Sequence, residues 1–458
     1  MEPSALLQKF MERSPIPVMV RALLERVLSP ERLDACFARA SKKQYTRELL
    51  FSSVFELMSL VVFKSFASIN GAYQAQKANI GVSITSVYNK LNGMETDVLT
   101  GLVRDTAQDL SALSVQLNGT CQPLLPGYRV KVVDGNCLAA TDHRLGVLRD
   151  QAGGPLPGKS LVIYEPHLEM ATAVLPCADG YAQERIIARQ LLESVQAADV
   201  FIMDRHFCMR SLLAGIADAG GYFICRHHKQ MAYKALGVPI RIGATATGIV
   251  FEQWIEVDLD KETTATWRAI IIELDKPTRN GDSQLVILTN LPHCAADALR
   301  IAALYGQRWK IETMFQQLEA YLHSEIVTLG YPQAALFGFC VALVAYNVMA
   351  VVKAALRQEH GEDKVRNEVS AYYVAGEITR THEGMGIAIE PHEWAVFQVM
   401  TQERFVATLV QLAHYVDLEK YKKHHRGPKK PPPPRTATSK GNHVSTARLL
   451  LAKTRSAP

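Results

Sequence analysis

Three polar residues share one face of the helix predicted between Leu304 and Glu319, where the sequence reads LYGQRWKIETMFQQLE. Tyr305, Arg308 and Glu312 stand at positions i, i+3 and i+7, a spacing that places them on one side of a helix. A helix with a purely structural role would carry Leu or Ala there. A phenol, a guanidinium and a carboxylate can instead bind a phosphate group and contribute a metal ligand.

Two aspartates follow apolar segments that are predicted to be buried β-strands. Asp134 comes after VKVV, and Asp204 comes after VFIM. A buried carboxylate is costly unless it is paired or bound to a cation, and ligand crevices form at strand ends in open sheets. Asp142, in ATDHRL, is an alternative to Asp134, although it falls in the predicted hairpin. Either aspartate could also be a turn residue, and Glu312 could be a helix-surface acid paired with Lys or Arg.

Taken together, the three carboxylates predict a divalent metal site. Asp134, Asp204 and Glu312 would repel one another unless a cation neutralised them. Oxygen-only ligation suits Mg²⁺ or Mn²⁺, and the sequence has no His/Cys cluster that would favour zinc. Two such ions can activate a water or a 3′-hydroxyl and stabilise the leaving oxygen of a phosphodiester. We expect the carboxylate oxygens to lie on the order of 4 to 8 Å apart, as shared coordination requires.

The segments around these acids predict an α/β core with a mixed sheet and flanking helices. YRVKVVDGNCL, RLGVLRD, SLVIYEP and EMATAVLP indicate three or four consecutive strands. A helix from about Gln183 to Gln196, the strand before Asp204, a helix to about Ala219 and the strand GYFICRHH follow. Residues 229–292 contain strands with no convincing helix, which indicates an all-β insertion. The core is thus predicted to comprise residues 123–228 and 293–350.

Both flanking regions, residues 1–115 and 351–420, are predicted to be helical. Two short helical pieces separated at Gly81, with Ser83 as a natural N-cap for the second, have the outline of a helix-turn-helix. Any helical hairpin can match that outline. The candidate DNA-reading residues are Ser86, Tyr88, Asn89 and Lys90.

Composition is that of a folded protein, with 48% hydrophobic and 21% charged residues among 458. Eight cysteines without a CxxC pair indicate free thiols in a reducing cytoplasm. The apolar run 334–352 reaches the lower limit for a membrane span, but a buried core helix has the same character, and we expect no membrane association.

Basic residues are concentrated at the C-terminus. The part from Lys420 onward carries a net charge of +11, whereas the preceding 419 residues carry −6. Residues 421–458 include KKHHRGPKKPPPPR, which predicts an extended, disordered tail. Such a tail either binds a polyanion or simply aids solubility.

The order Asp134, Asp204, Glu312 on two strands and a late helix resembles the DDE transposases of bacterial insertion sequences, whose catalytic core is ribonuclease H-like. Within that family, the spacing of Tyr305, Arg308 and Glu312 is similar to the subgroup with a Tyr-Arg-Glu-Lys signature and a β insertion domain. The segments VVDGN, FIMDRHF and YGQRWKIE are similar to the local sequences of that subgroup. Glu312 follows Asp204 by 108 positions, which leaves room for the inserted β domain. One departure is plain: Glu319 occupies the place of the signature Lys, for which Lys310 is a candidate substitute.

The resemblance implies metal-dependent cut-and-paste transposition, with two Mg²⁺ or Mn²⁺ ions held by Asp134, Asp204 and Glu312, and with Tyr305 and Arg308 contacting phosphate. It implies double-stranded DNA partners, namely terminal inverted repeats and target DNA, a homodimer in the synaptic complex, and a bacterial, DNA-associated cytoplasmic location. The N-terminal helices would recognise the transposon end, and the tail would contact phosphates.

The resemblance also implies an aromatic residue that stacks on a flipped base. Trp254 and Trp267 lie in the region concerned, although we expect each to be a core residue. Two other functions stay open: a metal-dependent nuclease of the same fold that never joins strands, and a non-catalytic DNA-binding derivative.

Overall fold

The computed structural model describes residues 4–44, 48–138, 145–148, 156–260, 262–278, 281–424 and 445–455. Within these ranges, seven helices precede the first strand, in agreement with the helical N-terminal region predicted above. They are α1 (Ala5–Arg13), α2 (Pro15–Val27), α3 (Pro30–Ala40), α4 (Phe51–Val62), α5 (Ile69–Gln76), α6 (Ile84–Asn92) and α7 (Thr96–Gln116). Local signals fix several starts, because proline occupies the first helical position of α2 and α3.

The helix pair α5 and α6 matches the predicted outline around Gly81. The Ser83 hydroxyl accepts a hydrogen bond from the backbone N–H of Ser86 at 3.2 Å and caps α6. The prediction was wrong for Lys90, whose side chain is buried with its ammonium 4.3 Å from the centroid of the Phe37 ring. Base reading by the other three candidates of α6 stays a prediction.

Nine strands form one continuous sheet. They are β1 (Arg129–Cys137), β2 (Lys159–Glu165), β3 (Met170–Cys177), β4 (Asp199–Met203), β5 (Tyr222–Arg226), β6 (Lys234–Thr245), β7 (Gly248–Asp258), β8 (Thr264–Leu274) and β9 (Gln284–Thr289). The spatial order is β3-β2-β1-β4-β5-β9-β8-β7-β6. β4 pairs in parallel with β1 and with β5, and the other described pairings are antiparallel. The predicted mixed sheet is therefore present.

Both faces of the central strands are buried. Side chains alternate along each strand, so Val132 and Ile202 face one apolar cluster, whereas Val133, Phe201 and Met203 face the other. The first cluster includes α7 and the later helices. The second is closed by α8 (Glu184–Ala188), a 3₁₀ segment at Arg189–Ser194, and α9 (Arg210–Asp218).

Two local predictions need correction here. The segment RLGVLRD is not a strand where it is described, because Gly146–Leu148 forms a 3₁₀ turn. The amphipathic helix expected over 183–196 is shorter, since α8 gives way to the 3₁₀ segment after five residues.

The strands β6 to β9 follow one another without a helix, as predicted for residues 229–292. They do not form a sheet of their own, because β9 pairs antiparallel with β5 through Ile224↔Thr289. Packing reinforces this junction: the rings of Phe223 on β5 and Trp267 on β8 lie 4.9 Å apart, edge to face. These strands therefore extend the core sheet.

Helices follow the sheet, as expected for residues 351–420. They are α10 (Ala298–Gly306), α11 (Trp309–Tyr321), α12 (Pro332–His360), α13 (Glu362–Glu368), α14 (Ala371–Ala388), α15 (Pro391–Val399), α16 (Gln402–His414) and α17 (Thr446–Arg455). The boundary predicted at residue 350 falls inside α12. The disorder predicted for the tail is wrong for α17, and residues 425–444 lie outside the described residues.

The helix α12 runs through the centre of the molecule. By length and composition it is apolar enough to cross a membrane, but its most apolar part is entirely buried inside the protein. Its polar residue Asn347 bonds the backbone of Ala171 on β3 twice, donating to the carbonyl and accepting from the N–H, each at 2.8 Å. The amide thereby satisfies two polar backbone groups in the interior.

Candidate active site

The two aspartates are brought together by the parallel pairing of β1 and β4. The last paired residues of that ladder are Val133 and Met203, so Asp134 and Asp204 are the next residue on each strand. Neighbouring strands lie about 4.8 Å apart. The two carboxylates therefore start from adjacent backbone positions at the same edge of the sheet.

Their local settings differ. Asp204 directly follows β4, as predicted, and caps the 3₁₀ turn Arg205–Phe207 by accepting from the backbone N–H of Arg205. Asp134 does not end its strand, because β1 continues to Cys137 in antiparallel pairing with β2. Only the parallel partner stops there. The alternative residue Asp142 lies outside the described residues.

The polar face expected between 304 and 319 belongs to two helices. α10 ends at Gly306, and α11 begins at Trp309. Between them the backbone N–H of Gln307 bonds Leu304 at 2.9 Å and that of Arg308 bonds Tyr305 at 3.1 Å, tighter i→i+3 bonds that end the first helix. Tyr305 thus lies in the last turn of α10, Arg308 lies in the turn between the helices, and Glu312 lies in the first turn of α11.

Arg308 links two of the three carboxylates. Its Nη1 lies 3.1 Å from Oδ2 of Asp134, and its Nη2 lies 2.7 Å from Oε1 of Glu312. The side chain is 12% exposed, and its guanidinium lies 4.8 Å from the Trp309 ring centroid. The Arg308 guanidinium therefore holds the carboxylates of Asp134 and Glu312 close to each other.

Burial raises the pKa of Asp134 to about 6. The Arg308 guanidinium and the Gly135 N–H, which donates to Oδ1 at 2.9 Å, favour the charged form, whereas the Asp204 and Glu184 carboxylates oppose it. A carboxyl with this balance is protonated more easily than an ordinary aspartate.

Sequence reasoning missed Glu184, at the start of α8. A Cβ at Gly135 would lie 2.7 Å from Oε1 of Glu184, so a larger residue beside Asp134 would displace this carboxylate from its present position. Glu184 also lies 3.7 Å from Nζ of Lys159. In the sequence, only the glycine at position 135, next to Asp134, hinted that another side chain packs against this strand.

Tyr305 is positioned as a hydrogen-bond donor. Burial raises the pKa of its phenol above the ordinary range, and the nearby Asp204 carboxylate raises it further, although Arg308 has the opposite effect. The phenol is therefore protonated across the physiological range. Arg308 thus contacts Asp134 directly, and the Tyr305 phenol lies near Asp204 and Arg308.

The carboxylate oxygens fit Mg²⁺ or Mn²⁺ in kind. Among the described residues, however, no three His, Cys, Asp or Glu side chains are gathered closely enough to hold a metal ion. Asp134 and Asp204 could share a cation, and it would relieve their mutual repulsion. Glu312 is instead bound to Arg308, and the expected convergence of all three acids within 4 to 8 Å stays a prediction.

A basic cavity of about 520 Å³ adjoins the strand end that carries Asp204. No carboxylate is among the described residues that line it. The burial of His228 and the neighbouring cations lower the pKa of that imidazole, so these positive charges are close together. The basic lining residues are Arg185, Arg205, His206, Arg210 and His228.

The segment that contains all three acids is similar to a known protein family. Residues 126–348 match the family described as the transposase DDE domain. The chain contains a transposase DDE domain. The match begins just before β1 and extends into α12, so Asp134, Asp204 and Glu312 all lie within it. The resemblance to DDE transposases of bacterial insertion sequences is thereby confirmed, whereas membership of the Tyr-Arg-Glu-Lys subgroup stays a prediction.

The relatives of this chain are distant. The protein y4zB of Sinorhizobium fredii, named as a transposase, is 22% identical over 202 residues, which are 44% of this chain and 55% of the relative. The InsL protein of the Escherichia coli element IS186A and the transposase of the element IS421 are each 22% identical over 282 residues, covering 54% of this chain and 72% of theirs. The chain thus matches about half the length of the first relative.

Other residues singled out from the sequence lie elsewhere around the DDE domain. Trp267 is a core residue with 3% exposure, as expected, but Trp254 is 47% exposed and is not. Trp254 lies on β7 beside the edge strand β6, where it pairs with Leu236. On α11, Glu319 and Lys310 are both exposed, and no described contact assigns either of them a phosphate role.

Proposed function

We propose that this chain is a DNA transposase that hydrolyses and rejoins phosphodiester bonds at the ends of an insertion sequence. The observation that carries the proposal is the register of β1 and β4, which sets Asp134 beside Asp204 within a transposase DDE domain. Arg308 adds Glu312 to the same cluster. Related proteins named as transposases support the same reaction class.

Each residue has a distinct role in this proposal. Asp134 and Asp204 would hold the divalent cations, and Glu312, now paired with Arg308, would be free to act as a third ligand if that ion pair opened. When bound, such cations supply an activated water or 3′-hydroxyl and stabilise the leaving oxygen. Arg308 donates two hydrogen bonds to the phosphate, and protonated Tyr305 donates one more. Positioning and charge stabilisation account for the rate in such a reaction.

The basic cavity next to Asp204 gives the DNA a path. Its arginines and histidines lie beside the strand end, where a phosphate backbone leaving the site would pass. Phosphate contacts of this kind position DNA without reading its sequence. We propose double-stranded transposon ends and target DNA as the partners, held by at least a dimer because two ends must be joined, in the bacterial cytoplasm.

The proposal is tested with purified full-length protein, Mg²⁺, linear DNA that carries the sequences flanking the coding region, and a supercoiled plasmid as target. We expect cleavage at the element ends and covalent joining to the plasmid, seen on a denaturing gel. Asp134→Asn and Asp204→Asn should each reduce both steps at least about a hundredfold. The exposed Asp218→Asn serves as the matched control and should retain activity.

The outcomes separate the alternatives. Hydrolysis without joining, even with pre-cleaved ends, would assign the chain to the nucleases. Specific binding to the flanking DNA without any cleavage would indicate a non-catalytic derivative. Full activity in Asp134→Asn, with folding checked by circular dichroism, would refute the site.

A further inference from the structure

A second cavity, of about 780 Å³, lies on the other side of α11 from Glu312. It is enclosed by α11, α12, α13, the loop before β1 and the turn between β2 and β3. Its size falls in the range of small-molecule sites in proteins. On α11 the lining residues Thr313, Gln317 and Tyr321 are offset from Glu312, so the cavity is separate from the catalytic cluster.

Positive charge is in excess around this cavity. Two carboxylates, Glu169 and Glu362, line it. The basic lining residues are Arg300, Lys310, Lys353, Arg357, Arg366 and Lys423. Like charges gathered in a partly dry space repel one another unless a counter-charge neutralises them.

The deepest charges are insufficiently neutralised. Oε2 of Glu169 lies 2.6 Å from Nη1 of Arg357 and 3.6 Å from Nζ of Lys353, so one carboxylate serves two cations. The Arg357 side chain is 5% exposed, and its Nη2 has no hydrogen-bond partner among the described residues. A buried guanidinium nitrogen without an acceptor is costly, although Nε of the same guanidinium donates to the carbonyl of Gly119. An anionic ligand in the cavity would supply the acceptor that Nη2 lacks.

The surrounding charges point the same way. Burial alone would raise the pKa of Glu169, but Lys353, Arg357 and Lys310 lower it to about 2. Burial and the ammonium of Lys353 lower the pKa of Lys423, so these two cations lie close together. The backbone of Glu169 has a φ of 56°, a left-handed conformation that is uncommon outside glycine. The backbone is thus locally strained at Glu169, the residue whose carboxylate pairs with Lys353 and Arg357.

The rest of the wall is aromatic and apolar. Tyr164, Tyr321 and Tyr346 line the cavity together with Met314 and Met349. Flat rings of this kind stack on nucleobases, and a cationic end suits phosphates. A cavity of this volume admits one nucleotide.

From this arrangement we propose that the cavity behind α11 binds a nucleotide, with its phosphates held by Lys353, Arg357 and Lys310 and its base against the tyrosines. A free nucleotide and the terminal nucleotide of a DNA strand share this chemistry. Lys310 and Glu312 lie in the same turn of α11. A nucleotide in the cavity would therefore contact the helix that carries the catalytic carboxylate. The binding itself does not depend on transposition.

Isothermal titration of the full-length protein tests the site, with ATP as one probe and a short 5′-phosphorylated single-stranded oligonucleotide as the other. We expect saturable binding of at least one probe, displaced by pyrophosphate. Lys353→Met should weaken it by at least about tenfold, and Lys310→Gln, at the exposed mouth, by roughly two- to fivefold. Lys364→Gln, an exposed lysine of α13 outside the cavity, is the matched control and should bind like wild type.

Two further variants make the test sharper. Glu169→Gln removes the competing carboxylate, so it should bind the probe more tightly than wild type, the opposite sign to Lys353→Met. Asp218→Asn, exposed and outside both the cavity and the catalytic cluster, should bind both probes like wild type. Thermal unfolding of each variant reports whether it is folded. If Lys353→Met does not fold, the exposed substitution Lys310→Gln still tests the site.

The probe that saturates identifies the source of the nucleotide. The proposal is overturned if neither probe saturates, if pyrophosphate does not compete, or if all lysine variants bind equally. Weaker binding by Glu169→Gln would also refute it.

Discussion

At the scale of single residues, the chemistry of Asp134 is decided by what is packed around it. Burial favours its neutral form, and the nearby Asp204 and Glu184 carboxylates add to that effect. Arg308, 3.1 Å away, counteracts it only in part because the same guanidinium also binds Glu312. The charged form of Asp134 is therefore disfavoured in the folded protein, and a bound cation would stabilise it.

The stability of the metal-free protein should depend on pH through Asp134. Its pKa is raised to about 6 in the folded state, so its contribution is fully present below about pH 4 and is lost as pH rises through 6. Asp134→Asn, which is always neutral, should therefore gain stability relative to wild type between pH 4 and pH 7, by on the order of 2 kcal/mol. Urea unfolding in EDTA at several pH values measures this difference.

The exposed substitution Asp218→Asn serves as the control, and its difference from wild type should vary little with pH. A difference between Asp134→Asn and wild type that is flat across this range, or that shrinks as pH rises, would contradict the pKa of Asp134 given above.

At the scale of elements, the site is formed by the end of the parallel β1–β4 ladder and by the break between α10 and α11. The apolar segments before Asp134 and Asp204 were enough to predict two strands. The continuation of β1 to Cys137 was not predictable, since it depends on pairing with β2. The break at Gly306 was hidden for a similar reason: the residues 304–319 have a helical pattern throughout, and only the i→i+3 bonds of the turn interrupt it.

Asn347 should be essential for the docking of α12 on β3. Asn347→Leu keeps the volume but leaves the N–H and the carbonyl of Ala171 without partners in the interior. We expect a loss of about 3 kcal/mol in the free energy of unfolding, measured in urea.

The control on the same helix is Gln358→Leu, at an exposed position, which should change stability by no more than about 0.5 kcal/mol. Equal stability of Asn347→Leu and wild type would show that the two hydrogen bonds contribute nothing.

At the scale of the whole molecule, the sheet joins regions that the sequence had separated. The strands of residues 229–292 read as an insertion because no helix interrupts them. In the fold, β9 pairs with β5, and Trp267 on β8 packs on Phe223. The strands that carry Asp134 and Asp204 and the added strands are therefore parts of one hydrogen-bonded layer.

This continuity predicts cooperative unfolding. In a variant that keeps only Trp267, with Phe at Trp254, Trp309 and Trp394, the fluorescence midpoint in urea should coincide with that of the far-UV circular dichroism. A second variant that keeps only Trp394 reports on α15, and its fluorescence midpoint should likewise coincide with the circular dichroism midpoint of the same variant. An earlier, separate transition at Trp267 would show that β6 to β9 behave as an independent domain.

The sequence by itself determined the order of Asp134, Asp204 and Glu312, the strand or helix class of most elements, and the resemblance to DDE transposases. These follow from local patterns of apolar and polar residues, which act over a few positions. Only the tertiary structure decided that Arg308 binds two of the acids, that Lys90 is buried on Phe37, and that a cationic cavity lies behind α11. Such facts depend on contacts between residues far apart in the chain, for which local sequence carries no signal.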